Sequence, residues 1–322
     1  MHVILKTIGQ RLALAVLTLL IVSVLIFSSI AMLPGDFAKA VLGQSATPET
    51  VAAFQAQLGL DRPATERYID WLGGAVRGDF GESFSSRPGA ERRVFDIIGP
   101  RLQNTLTLAG LTALIAIPLA IFLGILAALW RNSWFDRALN ASTLTTISVP
   151  EFFVAYVLIL LLAVKFPVFR SLSTVRPNMG FLETLENVAL PVLTLTLVIV
   201  AHMMRLTRAA IIGVLGSPYI EMAKLKGASK ARIVLRHALP NALAPIASVV
   251  AFNLAYLIVG TVIIEVVFVY PGIGQALVDA VRTRDVPVVQ ACALLFALAY
   301  ILLNLIADLI AIATNPRLMY PR

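Results

Sequence analysis

Charged residues and cysteines are scarce in this sequence. Of its 322 residues, 14% are Asp, Glu, Lys or Arg, and the one cysteine is Cys292. Because soluble domains are usually about 25% charged, this composition falls outside the soluble globular class. A lone cysteine has no partner within the chain, so the sequence also excludes a disulfide framework.

Short motifs of several enzyme classes are missing as well. No G-x-x-x-x-G-K-[ST] segment occurs, so the chain has no P-loop for ATP phosphates. H-E-x-x-H, G-x-S-x-G and a Cys/His cluster are also absent. The Gly-x-Gly in VYPGIGQAL (269–277) follows no strand and lacks a third glycine, which argues against a dinucleotide site and favours a partly re-entrant turn. We therefore expect no catalytic residue, cofactor or metal on this chain.

What the sequence does contain is long apolar runs. Hydrophobic residues make up 59% of the chain, and the mean hydropathy is +0.87. A membrane-spanning helix needs about 20 consecutive apolar residues. The sequence predicts six such spans, at about 12–33, 105–130, 138–164, 188–204, 241–264 and 288–312. We expect an all-α integral membrane protein, with the first run kept as a helix because it is too long for a signal peptide.

The net charge of +8 is unevenly distributed. If the N-terminus lies inside, the segments on that side carry far more Lys and Arg than Asp and Glu, whereas residues 34–101 are close to neutral. An excess of basic residues on short loops marks the cytoplasmic side. The charge is therefore interpreted as a topology signal with both termini cytoplasmic, and not as a nucleic-acid footprint.

Residues 34–101 are too many for a loop without structure of its own. Thr47 can cap a helix that starts at Pro48, and TPETVAAFQAQLGL then gives one apolar face. ATERYIDWLGG repeats the plan, with Tyr68, Trp71 and Leu72 on one side. We predict a small helical cap on the external face.

Residues 218–243, PYIEMAKLKGASKARIVLRHALPNAL, form a basic island between two apolar runs. Ser217 and Pro218 suit the start of a short helix, Gly227 interrupts it, and Ser229 can cap a second helix before Pro240 opens the next span. From the residues alone, two interpretations stay open. The island is either a basic loop lying on the membrane surface or a rigid docking element for a cytoplasmic partner.

A resemblance decides between them. Glu221–Met222–Ala223, then Gly227, then Leu239–Pro240 resemble the "EAA…G…LP" loop of ABC importer permeases, with Met222 where Ala is usual and His237 where a branched apolar residue is common. Further segments resemble the B-type permease of dipeptide, oligopeptide and nickel importers: LPGD (33–36), LGLDRP (58–63), GDFGES (78–83), RLQNTLTLA (101–109), NSWFDR (132–137), RLTRAA (205–210), VYPGIGQAL (269–277) and NPRL (315–318).

The resemblance implies a type I ABC importer permease fold with about six transmembrane helices and a small external helical cap. Its parts are an N-terminal span (1–33), a periplasmic cap (34–101), a core permease domain (102–316) with coupling helices at 217–237, and a cytoplasmic tail (317–322). The residues implied in coupling to the ATPase are Tyr219, Glu221, Met222, Ala223, Lys224, Gly227, Ala228, Arg232, Leu239 and Pro240.

The same resemblance implies the partners. They are a homologous second permease, two cytoplasmic P-loop ATPases that carry ATP and Mg²⁺, and a solute-binding protein received by the external cap. The expected location is a bacterial inner membrane. The expected substrates are dipeptides or oligopeptides, with a nickel chelate, glutathione or an oligosaccharide as alternatives. An ATP-independent channel or secondary transporter is the rival function, although no repeated half typical of the latter is visible.

Glu151 departs from the family pattern, which tends to have a small polar residue after this proline. A carboxylate inside a membrane helix costs about 2.5–3.5 kcal/mol and usually faces a bundle interior or a wet cavity. We hypothesise that Glu151 lines the translocation path and favours positively charged substrates. An ion pair to the partner permease, a protonated structural carboxyl and a position nearer the surface are the alternatives. The other candidate path residues are Pro150, Ser248, Asn253 and Tyr256.

Overall fold

The computed structural model describes residues 2–32, 46–57, 59, 61–86, 90–176 and 179–313. The LPGD and NPRL motifs and the predicted tail at 317–322 lie outside the described residues, as does part of the predicted cap. The described residues form α-helices and two π-helical turns, and Glu82 and Arg93 form an isolated antiparallel bridge. The prediction of an all-α protein is confirmed for this part of the chain.

The helices are α1 (His2–Ala31), α2 (Pro48–Gln57), α3 (Ala64–Val76), α4 (Val94–Leu129), α5 (Trp134–Ser148), α6 (Glu151–Ile159), α7 (Phe181–Leu215), α8 (Pro218–Leu225), α9 (Lys230–Arg232), α10 (Leu239–Val267), α11 (Ile273–Thr283) and α12 (Val286–Ala313). A π-helical turn at Leu160–Lys165 extends α6, and another at Ile233–Ala238 joins α9 to α10.

The helices that are long and apolar enough to cross a membrane confirm the prediction of about six spans. Five are single helices, at 6–30, 94–129, 181–215, 230–267 and 286–312, and the sixth is a pair formed by residues 134–148 and 151–165. The pair bends by 102° at its break.

The prediction of one continuous span at 138–164 was therefore wrong. Val149, which precedes Pro150, has an extended backbone with φ −100° and ψ 132°. A proline ring disfavours the helical conformation of the residue before it, so α5 ends there. Glu151 consequently lies in the first turn of a new helix and not in the middle of a long one.

Pro240 lies at the start of α10, as predicted, although the helical segment that is long enough to cross a membrane extends back to Lys230. Pro240 is tolerated in this longer segment because only Leu239 separates it from the π-helical turn at Ile233–Ala238, where the regular hydrogen-bond ladder of an α-helix is already interrupted.

The chain divides into two compact units. Unit one comprises residues 1–15, 105–271 and 299–322, and unit two comprises 16–104 and 272–298. In unit one, Ile211, Ile220, Ile233 and Val234 belong to a buried apolar cluster at the end of α7 and around α8. In unit two, Val94, Ile98, Ile273 and Cys292 are part of a second buried cluster.

The helices predicted within residues 46–76 are present. The Thr50 backbone N–H donates to the Thr47 hydroxyl at 3.3 Å, which caps α2 as expected. In α3, Tyr68 and Trp71 both pack their rings against Phe27 of α1, and the Tyr68 hydroxyl shares a 2.8 Å hydrogen bond with Ser23. The aromatic side of α3 predicted from the sequence is thus the side that contacts α1.

Candidate functional site

The basic island folds as two short helices around a glycine, as its sequence predicts. α8 begins at Pro218, and Glu221 lies in its first turn, where a carboxylate complements the positive end of the helix dipole. Gly227 ends the segment with φ +73°, a conformation that costs other residues energy. The Ser229 hydroxyl then accepts from the Arg232 backbone N–H at 3.4 Å and caps α9. Ser217 has the backbone of a cap, but its hydroxyl donates to the Val214 carbonyl instead.

α8 has one anchored side and one open side. Ile220 is fully buried in the unit-one cluster that contains Ile211. Tyr219, Met222 and Leu225 are 43%, 55% and 82% exposed. Ile220 therefore holds the helix in place, and the exposed apolar side chains are not needed for its packing.

The other residues of the expected coupling set surround this helix. Ala223, Ala228 and Leu239 pack against the cluster that holds Ile220. Glu221, Lys224, Arg232 and Pro240 are exposed. The Tyr219 hydroxyl donates to the His237 carbonyl at 3.4 Å, so α8 is also tied to the π-helical turn.

Asp136 and Arg208 form an ion pair that the sequence analysis missed. Arg208 Nε and Nη2 donate to the two Asp136 carboxylate oxygens at 2.6 and 2.7 Å, and the Asp136 side chain is 3% exposed. The Asn132 backbone N–H and the Asn140 side-chain amide also donate to this carboxylate, at 2.9 and 2.8 Å. The pair joins α5 to α7. Both residues lie in segments singled out in the sequence, NSWFDR and RLTRAA, but nothing in either segment signals the pairing.

Glu151 and Tyr256, two of the candidate path residues, are brought together by the fold. The Tyr256 hydroxyl donates to Glu151 Oε1 at 2.6 Å. Glu151 Oε2 is buried and has no hydrogen-bond partner among the described residues. Gly260, one turn after Tyr256, faces the same carboxylate: a Cβ atom placed on it would lie 3.4 Å from Oε2. His202 stands nearby, with its ring 5.8 Å from that of Tyr256.

The remaining candidate path residues have separate surroundings. Asn253 is buried, and its side-chain amide donates to the Val249 carbonyl of its own helix at 2.8 Å. The Ser248 hydroxyl donates to the Ala244 carbonyl at 3.3 Å. Pro150 is exposed and precedes Glu151 at the bend, where its carbonyl accepts from the Phe153 and Val154 backbone N–H groups.

Two further acidic groups in unit one have partners of their own. Glu265 is fully buried and accepts from the Thr105 hydroxyl at 2.6 Å. Burial raises the pKa of the nearby Tyr270 hydroxyl above its ordinary value, and the negative charge of Glu265 raises it further. Asp308 pairs with Arg11 at 2.9 Å on the exposed surface.

In unit two, several hydrogen-bond donors surround the carboxylate of Asp285, a residue that the sequence did not single out. The Ser83 hydroxyl and the Phe84 and Ser85 backbone N–H groups all donate to its buried carboxylate. Ser83 closes the GDFGES motif, so this motif is held beside the start of α12. Across the residues that the structure describes, no group of three or more His, Cys, Asp or Glu side chains is arranged to hold a metal ion.

The helices and their arrangement define a class of protein: a multi-span α-helical membrane protein with a helix–glycine–helix element between two spans. Comparison with known proteins makes this specific. The family model of the binding-protein-dependent transport system inner membrane component matches residues 120–320, and the model of its N-terminal part matches residues 4–109. The chain belongs to this family.

Curated relatives agree with this assignment. The glutathione transport system permease protein GsiC of Escherichia coli (strain K12) is 38% identical over 308 residues, which are 94% of this chain and 95% of the relative. The protein of the same name from Shigella dysenteriae serotype 1 (strain Sd197) matches equally well. A solved structure, the inward-facing MetNI methionine ABC transporter, shares the fold with a TM-score of 0.54, 17% identity and coverage of 69% of this chain and 97% of that chain.

The chain is therefore an ABC importer permease, a multi-span component of a bacterial inner-membrane transporter. The resemblance drawn from its motifs is confirmed. Family membership argues against the rival interpretation as an ATP-independent channel or secondary transporter.

Proposed function

We propose that this permease forms half of the translocation path of an importer for short peptides, glutathione among them. The relatives named for glutathione transport support this substrate class, because they align with the chain over nearly its whole length. Glutathione is itself a peptide, so it falls within the dipeptide and oligopeptide class that the motifs imply. A nickel chelate or an oligosaccharide would be the substrate if no peptide is taken up.

In this proposal the 218–240 segment docks on the ATPases. The observation that carries it is the open apolar side of α8, with Tyr219, Met222 and Leu225 exposed while Ile220 anchors the helix. Apolar side chains exposed together on a charged segment are typical of an interaction surface. Because α8 packs on the core of unit one, a movement of the bound ATPase would be transmitted to the spans as a rigid-body displacement.

The remaining assignments complete the complex. A homologous second permease supplies the other half of the path, two P-loop ATPases bind ATP and Mg²⁺ and hydrolyse the nucleotide, and this chain is not itself catalytic. Both termini are cytoplasmic. The helices within 34–101 form a periplasmic cap that receives the solute-binding protein, and residues 102–316 form the core permease domain after the N-terminal span at 1–33.

The docking proposal is tested by purifying the tagged chain from its own cells in mild detergent and identifying the attached proteins by mass spectrometry. The wild type is expected to retain a second permease and P-loop ATPases. Met222→Ser with Leu225→Ser is expected to lose the ATPases but keep the second permease. Val76→Ser, at a residue of α3 that is also 82% exposed, is the matched control and is expected to behave as the wild type.

Two results would contradict the docking proposal. One is recovery of the ATPases with the double variant at wild-type yield. The other is recovery of the wild-type chain alone under conditions that keep other importers intact.

A further inference from the structure

Glu151 stands at an unusual place in the membrane part of unit one. It occupies the first turn of α6, directly after the 102° bend at Pro150. Acidic side chains in the first turn of a helix interact favourably with the positive end of the helix dipole. Charged side chains in membrane segments are costly and usually serve a site or a pathway.

The two oxygens of this carboxylate are in different situations. Oε1 accepts the Tyr256 hydroxyl at 2.6 Å, which fixes the orientation of the side chain. Oε2 is buried and accepts from no group in the described part of the chain. A buried acceptor without a donor is unfavourable, and it is rare in folded proteins unless a ligand, water or ion supplies the donor.

Gly260 leaves the space in front of Oε2 open. Its neighbours in α10 at Tyr256 and Ile264 carry large side chains, whereas a Cβ at position 260 would already lie 3.4 Å from Oε2 and 3.7 Å from Oε1. The glycine thus keeps a side chain away from the one oxygen that lacks a donor. Gly260 has no positive φ that would explain the choice of glycine by backbone conformation.

The chemistry around Oε2 favours a compact cation with N–H donors. A single carboxylate is a poor site for Ca²⁺ or Mg²⁺, which take about six or more oxygen ligands, and no second acidic group joins Glu151 in a metal-binding cluster within the described residues. A primary ammonium group carries one positive charge and three donors. The aromatic ring of Tyr256, whose hydroxyl is bonded to the same carboxylate, provides a surface that an ammonium group tolerates well.

We propose that Glu151, oriented by Tyr256 and given room by Gly260, is a binding site for the primary ammonium group of the transported peptide. The inference rests on the proposed peptide transport and adds the chemical group that the permease recognises. Glutathione and unmodified dipeptides both carry such a group. In this view the selectivity of the importer does not lie with the binding protein alone.

The first test measures ligand binding at Glu151 directly. The complete transporter is treated with dicyclohexylcarbodiimide, which modifies carboxyl groups in apolar surroundings, and the modified peptide containing residue 151 is quantified by mass spectrometry. Alanyl-alanine is expected to protect Glu151 several-fold, whereas propionyl-alanine, the same molecule without its amino group, is expected to give no protection. Equal protection by both compounds, protection by neither, or a Glu151 that does not react at all would overturn the proposal.

The second test measures uptake of radiolabelled alanyl-alanine and glutathione by proteoliposomes that contain the complete transporter with its binding protein. Glu151→Gln removes the charge, and Gly260→Ala keeps the charge but fills the space. Each is expected to lower uptake about tenfold, the effect of losing one charge-assisted contact. Glu183→Gln, at an exposed residue in the first turn of α7, and Gly213→Ala, where an added Cβ meets no described atom within 4 Å, are the matched controls.

The outcomes separate the two proposals. If the Glu151→Gln and Gly260→Ala variants both take up the peptides at the wild-type rate, the ammonium site is overturned, while the proposal of peptide transport is unaffected. No uptake of either peptide by the wild type would overturn the proposed substrate class, and the ammonium site with it. Loss of the second permease from purified Glu151→Gln would show that Glu151 pairs with that subunit instead, and would also overturn the site.

Discussion

At the scale of single residues, the pair of Asp136 and Arg208 links two elements of unit one by a bidentate ion pair. Its two parallel hydrogen bonds, at 2.6 and 2.7 Å, have the bidentate geometry that favours arginine over lysine. The aspartate is almost fully buried and accepts two further hydrogen bonds. Removing one partner would therefore leave the other charge poorly compensated.

We predict that Asp136→Asn lowers the stability of the permease by about 3 kcal/mol. This is the lower end of the range for breaking a buried ion pair, because Arg208 remains partly accessible to solvent. The thermal unfolding temperature of the purified transporter in detergent is the measurement. The double variant Asp136→Asn with Arg208→Gln is expected to lose less than the sum of the two single variants. Strict additivity would show that the two side chains do not interact.

Gly227 is a second residue whose role can be isolated. Its φ of +73° costs a residue with a Cβ about 1–2 kcal/mol, but an added Cβ meets no described atom within 4 Å. We predict that Gly227→Val lowers ATPase recovery and uptake, whereas Gly227→Asn retains most of both, because asparagine tolerates this conformation better. Co-purification and uptake are measured side by side. Equal behaviour of the two variants would show that the backbone conformation at this position is not required.

At the scale of elements, α4 and α7 approach closely at Gly124. A Cβ on Gly124 would lie 2.8 Å from Thr207 Cβ and Cγ2 and 3.0 Å from the Met204 carbonyl oxygen. Such distances are too short for real contacts, so the two helices would have to separate. Small residues at such crossings are a general feature of helix packing in membranes.

We predict that Gly124→Ala destabilises the permease by about 1–3 kcal/mol through overpacking. Gly110→Ala in the same helix is the control, since an added Cβ there meets no described atom within 4 Å. Alanine also stabilises a helix by about 1 kcal/mol relative to glycine. The thermal unfolding temperatures of both variants are compared in detergent. A Gly124→Ala variant as stable as Gly110→Ala would contradict the close approach.

The elements show how far sequence reasoning reaches in this protein. Apolar runs and local capping signals predicted the spans, the helices that begin at Pro48 and Pro218, and the break at Gly227, because each of these depends on residues close together in the chain. The bend after Ser148 depends on Pro150 alone, and the hydropathy of both flanking helices masked it. The contacts of Glu151 with Tyr256 and of Asp136 with Arg208 join distant residues, and a single sequence carries no signal for such pairs.

At the scale of the whole molecule, the orientation in the membrane can be tested because Cys292 is the only cysteine and is fully buried. We predict that Lys226→Cys, which the proposed topology places on the cytoplasmic side, reacts with a membrane-impermeant maleimide only after spheroplasts are permeabilised. Arg77→Cys, at the exposed end of α3, is expected to react in intact spheroplasts. The unmodified chain serves as the blank. The opposite labelling pattern would contradict the proposed topology.

The π-helical turn at Ile233–Ala238 has a consequence for changes in chain length. One α-helical residue corresponds to a rotation of about 100° about the helix axis, and a π-helical turn contains one residue more than an α-helical one. Because the extra residue is accommodated within one full turn, deleting a single residue there would restore a regular α-helix and leave α9 facing nearly the same way relative to α10. Deleting a residue from the regular part of α10 would instead rotate α9 by about that angle relative to the rest of the span. The π-helical turn is thus a place where the chain can lose one residue while the docking segment keeps its direction.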